Sequence, residues 1–370
     1  NKHDVVLCSD EIHCGLILDK DKVHVPTAVL DPGVAARTIT LMAPSKTFNL
    51  PGLGCAFAVI SDEKLRGRFK NAMAGIVPRP NVLGYAAAMA AFAECADWHA
   101  ALLDYLRGNL EMIADAIRQV NEGAGADVIA IQEVENVGIL ERLRTEYLDG
   151  LGYEPAVLIE GTDARGIDVA FLSKFPLAGE PVLHPFEVPE FPERARDTRG
   201  VLQADFRLPD GSVLTGFSVH FPAPYHPTPM RIAAYEHLNR LRNAVPEDHM
   251  VFAAGDFNTT STEDEREGLL DRLVRPDWVV AHDLGCGENC RGTYYYAPDD
   301  NWSFLDMILF SPARGEKTTS GIRADSVAIA NDMPAQITPE GTPRRHDSAS
   351  RTGVSDHWPI IATIDFSQKQ

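Results

Sequence analysis

Cysteine is scarce in this chain, long apolar runs are missing, and basic residues are outnumbered. Six cysteines in 370 residues are too few for a disulfide scaffold. No apolar stretch approaches the roughly 20 residues that a helix needs to cross a bilayer, so no membrane-spanning segment is expected. Lys and Arg total 34 against 53 Asp and Glu, a net charge of −19. The deficit is uneven: residues 1–109 carry 11 of each sign, whereas 110–370 carry 23 basic and 42 acidic residues. A protein that grips long nucleic acid usually presents a basic face, because affinity comes largely from neutralising phosphates. This chain would have to use metal ions or a local patch instead. It opens Asn-Lys-His without an initiator Met, as expected if an upstream segment has been removed, so the lack of a signal peptide leaves the compartment open, secretion included.

What is present is the composition of a soluble globular protein, long enough for two domains. Cys8, Cys14, Cys55 and Cys95 stand singly among apolar residues and read as buried thiols. Cys286 and Cys290, in Gly-Cys-Gly-Glu-Asn-Cys, lie close enough to form a small disulfide or to stay as two thiols. Two such ligands alone do not make a zinc site.

Residues 1–109 read as strand, loop, strand, turn, strand, helix. Apolar runs predict buried strands at 5–8, 38–42 and 55–60, and helices at 62–73 and 82–106. Two strings are more specific: Ser9-Asp10-Glu11-Ile12-His13 and Ala43-Pro44-Ser45-Lys46-Thr47-Phe48-Asn49. With Gly75-Ile76-Val77-Pro78 after them, they resemble the pyridoxal phosphate site of the aminotransferase-like carbon–sulfur lyases of the cystathionine β-lyase type. The resemblance implies that Asp10 pairs with the pyridine nitrogen and that Lys46 forms the Schiff base. That family's chain is several times longer than this stretch. The portions that stack the cofactor and bind the substrate carboxylate are absent, so the expectation is a structural appendage with vestigial Asp10 and Lys46 and no functional pyridoxal phosphate.

The second part, 110–370, carries the chemistry. An amphipathic helix at 110–120 precedes a strand at 127–136 that ends in Gln132-Glu133-Val134-Glu135. Glu133 closes an apolar run, where a carboxylate calls for a cation. Further strands are expected at 168–172, 199–206 and 214–220, the last ending in Val219-His220-Phe221. A helix over 228–245 leads to Val251-Phe252-Ala253-Ala254-Gly255-Asp256-Phe257-Asn258. Alternation turns Asp256 and Asn258 to one side and Phe257 into the packing. Strands at 293–296 and 302–310 follow, then a long polar loop over 311–352 with a positive cluster of Arg344, Arg345 and Arg351. The chain closes with Ser355-Asp356-His357 and a last apolar strand. His357 offers an imidazole that Asp306 could orient, and Asp356 a ligand carboxylate.

Taken in order, Gln-Glu-Val-Glu, Arg-Gly-Ile-Asp-Val-Ala, Val-His-Phe, Gly-Asp-Phe-Asn, Phe-Leu-Asp-Met-Ile-Leu and Ser-Asp-His resemble the endonuclease/exonuclease/phosphatase superfamily, which includes deoxyribonuclease I, apurinic endonucleases, sphingomyelinases and inositol phosphatases. The resemblance spans about 110–366. It implies a four-layer α/β sandwich, two mainly antiparallel sheets flanked by helices, with the N-terminal α/β fragment packed on it. It also implies a rim site in which Glu133 ligates the metal with Asp356 as a second ligand, and Asp256 orients or deprotonates water. Asn258 holds the scissile phosphate, His357 with Asp306 polarises a phosphate oxygen or acts as base, and His220 assists. The oxygen-rich set suits Mg²⁺ or Mn²⁺, with Ca²⁺ as a further option, better than zinc.

One departure stands out. The family opens with a strand ending in a metal-binding asparagine, and no independent copy precedes the helix at 110–120. Asn49 is the candidate substitute. Three readings follow: a nuclease acting on DNA or RNA, an enzyme of the same fold acting on a small phosphoester or lipid headgroup, and a non-catalytic fusion product. The arginines of the late loop and His220 favour the first and the acidic charge the second, while retention of every central group from Glu133 to His357 opposes the third. The oligomeric state is not readable from the sequence.

Overall fold

Alternation of apolar and polar residues in the second half of the chain builds sheets whose two faces are buried for different reasons. A computed structural model describes residues 5–163, 165–287, 290–314, 318–347 and 352–368. It divides into two units, Asn1–Asn109 and Leu110–Gln370.

The first unit holds a three-stranded sheet of β1 (Leu7–Asp10), β2 (Thr38–Met42) and β3 (Phe57–Val59), with β2 parallel to β1 and antiparallel to β3. A single turn, α1 (Pro32–Ala35), precedes β2, and α2 (Glu63–Met73), α3 (Val82–Glu94) and the part of α4 (Ala96–Arg118) up to Asn109 follow the sheet. Asp62 and Asn81 cap α2 and α3 by accepting from Leu65 N and Gly84 N, the expected role of short polar side chains at helix starts. Two expectations fail here. Val5, Val6 and Leu7 are exposed rather than buried, and among the four free cysteines Cys8 is exposed and the others are half-buried. Three short strands cannot cover their own apolar residues. The helices expected over 82–106 and 110–120 are also redistributed: the break falls at Cys95, and α4 runs on through Asn109 to Arg118, since neither Gly108 nor Asn109 stops a helix on its own.

The second unit is an α/β sandwich. Its larger sheet has the order β11 (Val279–Val280), β14 (Asp306–Ser311), β10 (Met250–Asp256), β9 (Val213–His220), β8 (Val201–Arg207) and β7 (Val182–His184). All pairings are antiparallel except β9 with β10, which α6 (Thr228–Ala244) connects. The second sheet orders β4 (Val128–Val134), β6 (Asp168–Ser173) and β5 (Val157–Leu158). A separate ribbon pairs β15 (Thr318–Ile329) with β16 (Ile360–Gln368), and β12 (Tyr294–Tyr296) pairs with β13 (Asn301–Ser303). Short helices α5 (Val137–Arg142), α7 (Ser261–Glu267) and α8 (Leu269–Leu273) complete the unit.

Two apolar layers flank the large sheet. Phe217, Val219, Val251, Ala253, Met307 and Leu309 pack with Met230, Ala234, Tyr235 and Leu238 of α6. The alternate residues Leu214, Met250, Phe252 and Phe310 pack with Val169 and Phe171 of β6. Burial on both faces makes this sheet the rigid part of the unit.

The polar loop expected over 311–352 is corrected: 12 of its residues form β15. Ile322, Ala324, Val327, Ala328 and Ile329 are its only apolar residues, diluted by Thr, Ser, Arg and Asp. The strand is held by long-range backbone pairing with β16, which local composition does not display. The strand expected over 302–310 is interrupted at Phe304-Leu305, where Leu305 O instead accepts from Phe257 N.

Candidate active site

Three adjacent strands each end in a polar residue on the same rung. The registers place His220 of β9 and Asp306 of β14 on either side of Asp256 of β10. Stepping back by two along these strands gives Ser218, Ala254 and Ile308, and then the apolar layer around Phe252 and Phe310. The row is therefore the polar end of the inter-sheet layer, as a period of two requires. Gly255 makes the close strand approach possible: at φ 141° a Cβ there would stand 2.1 Å from Val219 O, so only glycine fits.

Asp256 is buried and fully engaged by Asn258. The Asn258 backbone N donates to Asp256 Oδ1 at 2.8 Å and its Nδ2 to Oδ2 at 2.8 Å. The second amide proton goes to Phe221 O at 3.0 Å. Asn258 adopts φ 51°, a left-handed turn that asparagine tolerates, and this curls its side chain back onto Asp256. His220 Nε2 lies 3.4 Å from Asp256 Oδ2, and His220 Nδ1 is buried without a hydrogen-bond partner.

His357 reaches the row from the chain's end. Its backbone bridges Tyr294, its N donates to Ser355 Oγ, and its Nδ1 lies 2.7 Å from Asp306 Oδ2. Ligand atoms of Asp256, Asp306 and His357 all fall within 4.8 Å of one another.

Electrostatics separates the two imidazoles. Burial would depress His357, but the charge and hydrogen bond of Asp306, with Asp256 and Asp356 behind them, outweigh it and raise its pKa to about 9. For His220 burial prevails, helped by the positive charges of Arg165 and His357, and its pKa falls to about 4. One ring is a cation near neutrality and the other a neutral donor or acceptor. Burial and the neighbouring Asp306 carboxylate raise the Asp256 carboxyl well above its usual range, with Glu133 adding in the same direction against His357.

Glu133 is exposed on β4 at φ 59°, inside a bulge where the pairing with β6 shifts between Ile131 and Val134; bulges re-aim side chains at sheet rims. Asp356 is half-buried, with Arg345 Nε 3.8 Å from its Oδ2. Arg344 donates to Pro334 O at 3.3 Å, and Arg351 lies outside the described residues. In the first unit Asn49 is exposed at φ 52°, and Asp10 and Lys46 are both exposed. The buried acid there is Glu11, which accepts from Ser9 Oγ and Thr27 N and pairs with His24. Cys286 and Cys290 form a disulfide with Cα atoms 5.1 Å apart.

Sequence reading gave no role to several buried polar groups around this rim. Asp168 accepts from Gly161 N at 2.7 Å while its Oδ2 is buried without a partner, and burial raises its pKa, with Asp163 adding to the effect. Asp163 pairs with both Arg199, at 3.0 Å, and Arg165, at 3.3 Å. Arg231 and Glu263 form a buried bidentate pair. The only local signal for the last is Thr260-Ser261-Thr262-Glu263, which reads as a capping box; Thr260 does cap α7, but the Glu263 carboxylate turns to Arg231.

The donor chemistry fits a hard divalent cation. Protonated His357 answers only one of the two facing carboxylates; the remaining carboxylate charge in a largely dry place is costly without a second positive partner, and carboxylate oxygens suit Mg²⁺ or Mn²⁺.

Comparison with known proteins supplies two overlapping family matches. The model described as "Endonuclease/Exonuclease/phosphatase family" matches residues 88–357, and that described as "Aminotransferase class I and II" matches residues 1–146. Cystathionine beta-lyase PatB of Bacillus subtilis is 34% identical over 114 residues, which are 30% of this chain. The match spans only 28% of that relative's length. The structure of humanized D. rerio TDP2 with 14 mutations is 18% identical over 71% of this chain and 93% of that one, with a TM-score of 0.48. Mannosyl-6-phosphatase Bt3783 of Bacteroides thetaiotaomicron VPI-5482 is 17% identical over 71% and 94%, with a TM-score of 0.47. Among the described residues no helix is long and apolar enough to cross a membrane.

Proposed function

Since the chain belongs to the endonuclease/exonuclease/phosphatase family, we propose that its second unit is a divalent-metal-dependent phosphodiester hydrolase acting on DNA or RNA. The observation that carries this reading is the rung His220–Asp256–Asp306 with His357 bonded to Asp306. It supplies an acceptor for a water proton, a cationic donor for a phosphoryl oxygen, and a neutral imidazole beside them.

Glu133 and Asp356 are the proposed metal ligands, next to the Asp256–Asp306–His357 cluster. A bound Mg²⁺ or Mn²⁺ would offset phosphoryl charge and favour ionisation of water. Asp256, locked by both the backbone and the amide of Asn258, accepts the proton of the attacking water. His357, kept protonated by Asp306, donates to a non-bridging phosphate oxygen. His220 assists at the leaving side, and in-line attack converts a diester into a monoester and an alcohol.

A second reading, hydrolysis of a small or lipid-borne phosphoester, is favoured by the acidic excess of 42 against 23 charged residues over 110–370. The first unit is proposed as a structural appendage and not a pyridoxal phosphate enzyme. A Schiff-base lysine works from a desolvated pocket, whereas Lys46 and Asp10 are exposed and the match covers 28% of the lyase relative.

The test is nicking of supercoiled plasmid with Mg²⁺, Mn²⁺ or EDTA, comparing the native protein with Asp256→Ala and His357→Ala. The reading expects metal-dependent nicking that both substitutions abolish. Absence of nicking by the native protein, with turnover of small nitrophenyl phosphates instead, would transfer support to the second reading.

A further inference from the structure

The segment that leaves the catalytic rung at His220 reads Phe221-Pro222-Ala223-Pro224-Tyr225-His226-Pro227. Three prolines in seven residues restrict it before any tertiary contact forms. The fold then pins it. Phe221 N donates to Asp256 O at 2.8 Å, and the guanidinium of buried Arg231 donates through Nη1 to Pro222 O, Ala223 O and His226 O at 3.1, 2.8 and 3.2 Å. Arg231 is itself fixed by Glu263.

This rigid segment holds an aromatic ring out into water. Tyr225 is 79% exposed, the most exposed large aromatic among the described residues. One side of its ring rests on the buried His226 imidazole, with centroids 4.2 Å apart at 38°. His226 is fixed in turn, because Arg194 Nη1 lies 2.7 Å from its Nδ1, which makes Nδ1 the acceptor. An unsupported surface tyrosine would gain little from such a base, whereas a ring fixed in one orientation is prepared to stack with no further ordering cost.

Arg165 and Arg194 act on the His226 imidazole beneath the ring although the unit as a whole is acidic. Arg165 and Arg199 share the carboxylate of Asp163. Burial depresses both His220, on the rung, and His226, under Tyr225, the latter against the pull of Asp197, and the charge of Arg165 adds to both effects. The same guanidinium thus lies within electrostatic reach of the row and of the aromatic shelf, and Arg194, bonded to His226 and 3.9 Å from Asp197 Oδ2, stands at the shelf as well.

We propose that Tyr225 is a stacking platform for an unpaired base of a single-stranded nucleic acid, with Arg165 and Arg194 attracting the phosphates on either side. The proposal takes its substrate class from the nuclease reading above. A base offers its π-face only when it is out of a duplex, and proteins that hold such strands stack bases on aromatic rings beside cations that meet the phosphates.

Binding and cleavage separate this proposal from the reading on which it rests. A short single strand carrying 2-aminopurine is titrated with the full-length protein in EDTA, so that no turnover occurs, and its fluorescence reports stacking. Tyr225→Ala is expected to raise Kd about tenfold and to remove the fluorescence quench, with Tyr225→Phe restoring both. On an abasic strand of the same length the Tyr225→Ala loss should shrink to about twofold or less. Equal Kd for Tyr225→Ala and native protein, an equal loss on the abasic strand, or no binding by the native protein would each overturn the platform. Cleavage in Mg²⁺ is scored separately: tyrosine-dependent binding without cleavage would keep the platform and remove the nuclease reading.

Discussion

His357 Nδ1 stands 2.7 Å from Asp306 Oδ2, and this contact decides which imidazole of the site is charged. Burial works against a protonated His357, yet Asp306 lifts it to about 9. The folded pKa lies above the ordinary value near 6.5. The stabilisation it contributes is therefore fully present below about pH 6.5 and is lost as pH rises through about 9.

Replacing Asp306 by Asn should remove the charge while keeping the shape. In metal-free protein the His357 imidazole resonance is expected to titrate well below 9, toward the ordinary range, as followed by NMR. Catalytic efficiency on a phosphodiester should fall on the order of 10²- to 10⁴-fold, because an imidazole loses both its orientation and its proton when its carboxylate is neutralised. An unchanged His357 titration in the Asp306→Asn protein would show that the contact does not set the charge state.

His282 gives the opposite sign away from the His220–Asp256–Asp306 row. It stacks on Phe304 with centroids 4.0 Å apart and planes 1° apart, and its Nδ1 is buried without a partner. Burial lowers its pKa to about 4, against a smaller opposing pull from Asp283. With the folded pKa below the unfolded one, stability is complete above about pH 6.5 and drains away as pH falls toward 4, by roughly 3 kcal/mol in total. Urea unfolding between pH 7 and 4 should therefore show a shallower acid loss for His282→Phe than for the native protein. Parallel pH profiles for the two proteins would rule out this residue as a source of acid sensitivity.

Much of the candidate row is legible in the chain because it obeys a period of two: Phe252, Ala254 and Asp256 share a face in sequence as they do in the sheet. Asp306 and His357 are separated by 51 residues, and only the ordered motifs of a known family join them. The bulge that carries Glu133 left no trace, since a register shift depends on the partner strand. β15 was hidden for a similar reason: its hydrogen bonds lie with β16, and its composition is that of a loop. Val5, Val6 and Cys8 are exposed because an apolar run is buried only where another layer exists to cover it.

The Arg231–Glu263 pair shows what local reading cannot supply, and its energetics are testable. Arg231 is 2% exposed and Glu263 4%, and Thr228 Oγ1 also donates to Glu263. Removing one partner leaves a desolvated charge, so Glu263→Ala should cost about 3–5 kcal/mol in urea unfolding. Removing both, as Arg231→Met with Glu263→Leu, eliminates the desolvation penalty as well as the attraction and should recover most of that loss. The two variants separate stability from positioning. In the double variant the Pro222, Ala223 and His226 carbonyls lose their common donor, so hydrogen exchange should quicken across 221–227 even though global stability is regained. A double variant as unstable as Glu263→Ala alone would mean that the pair's net attraction, rather than the stranded charge, holds α7 to α6.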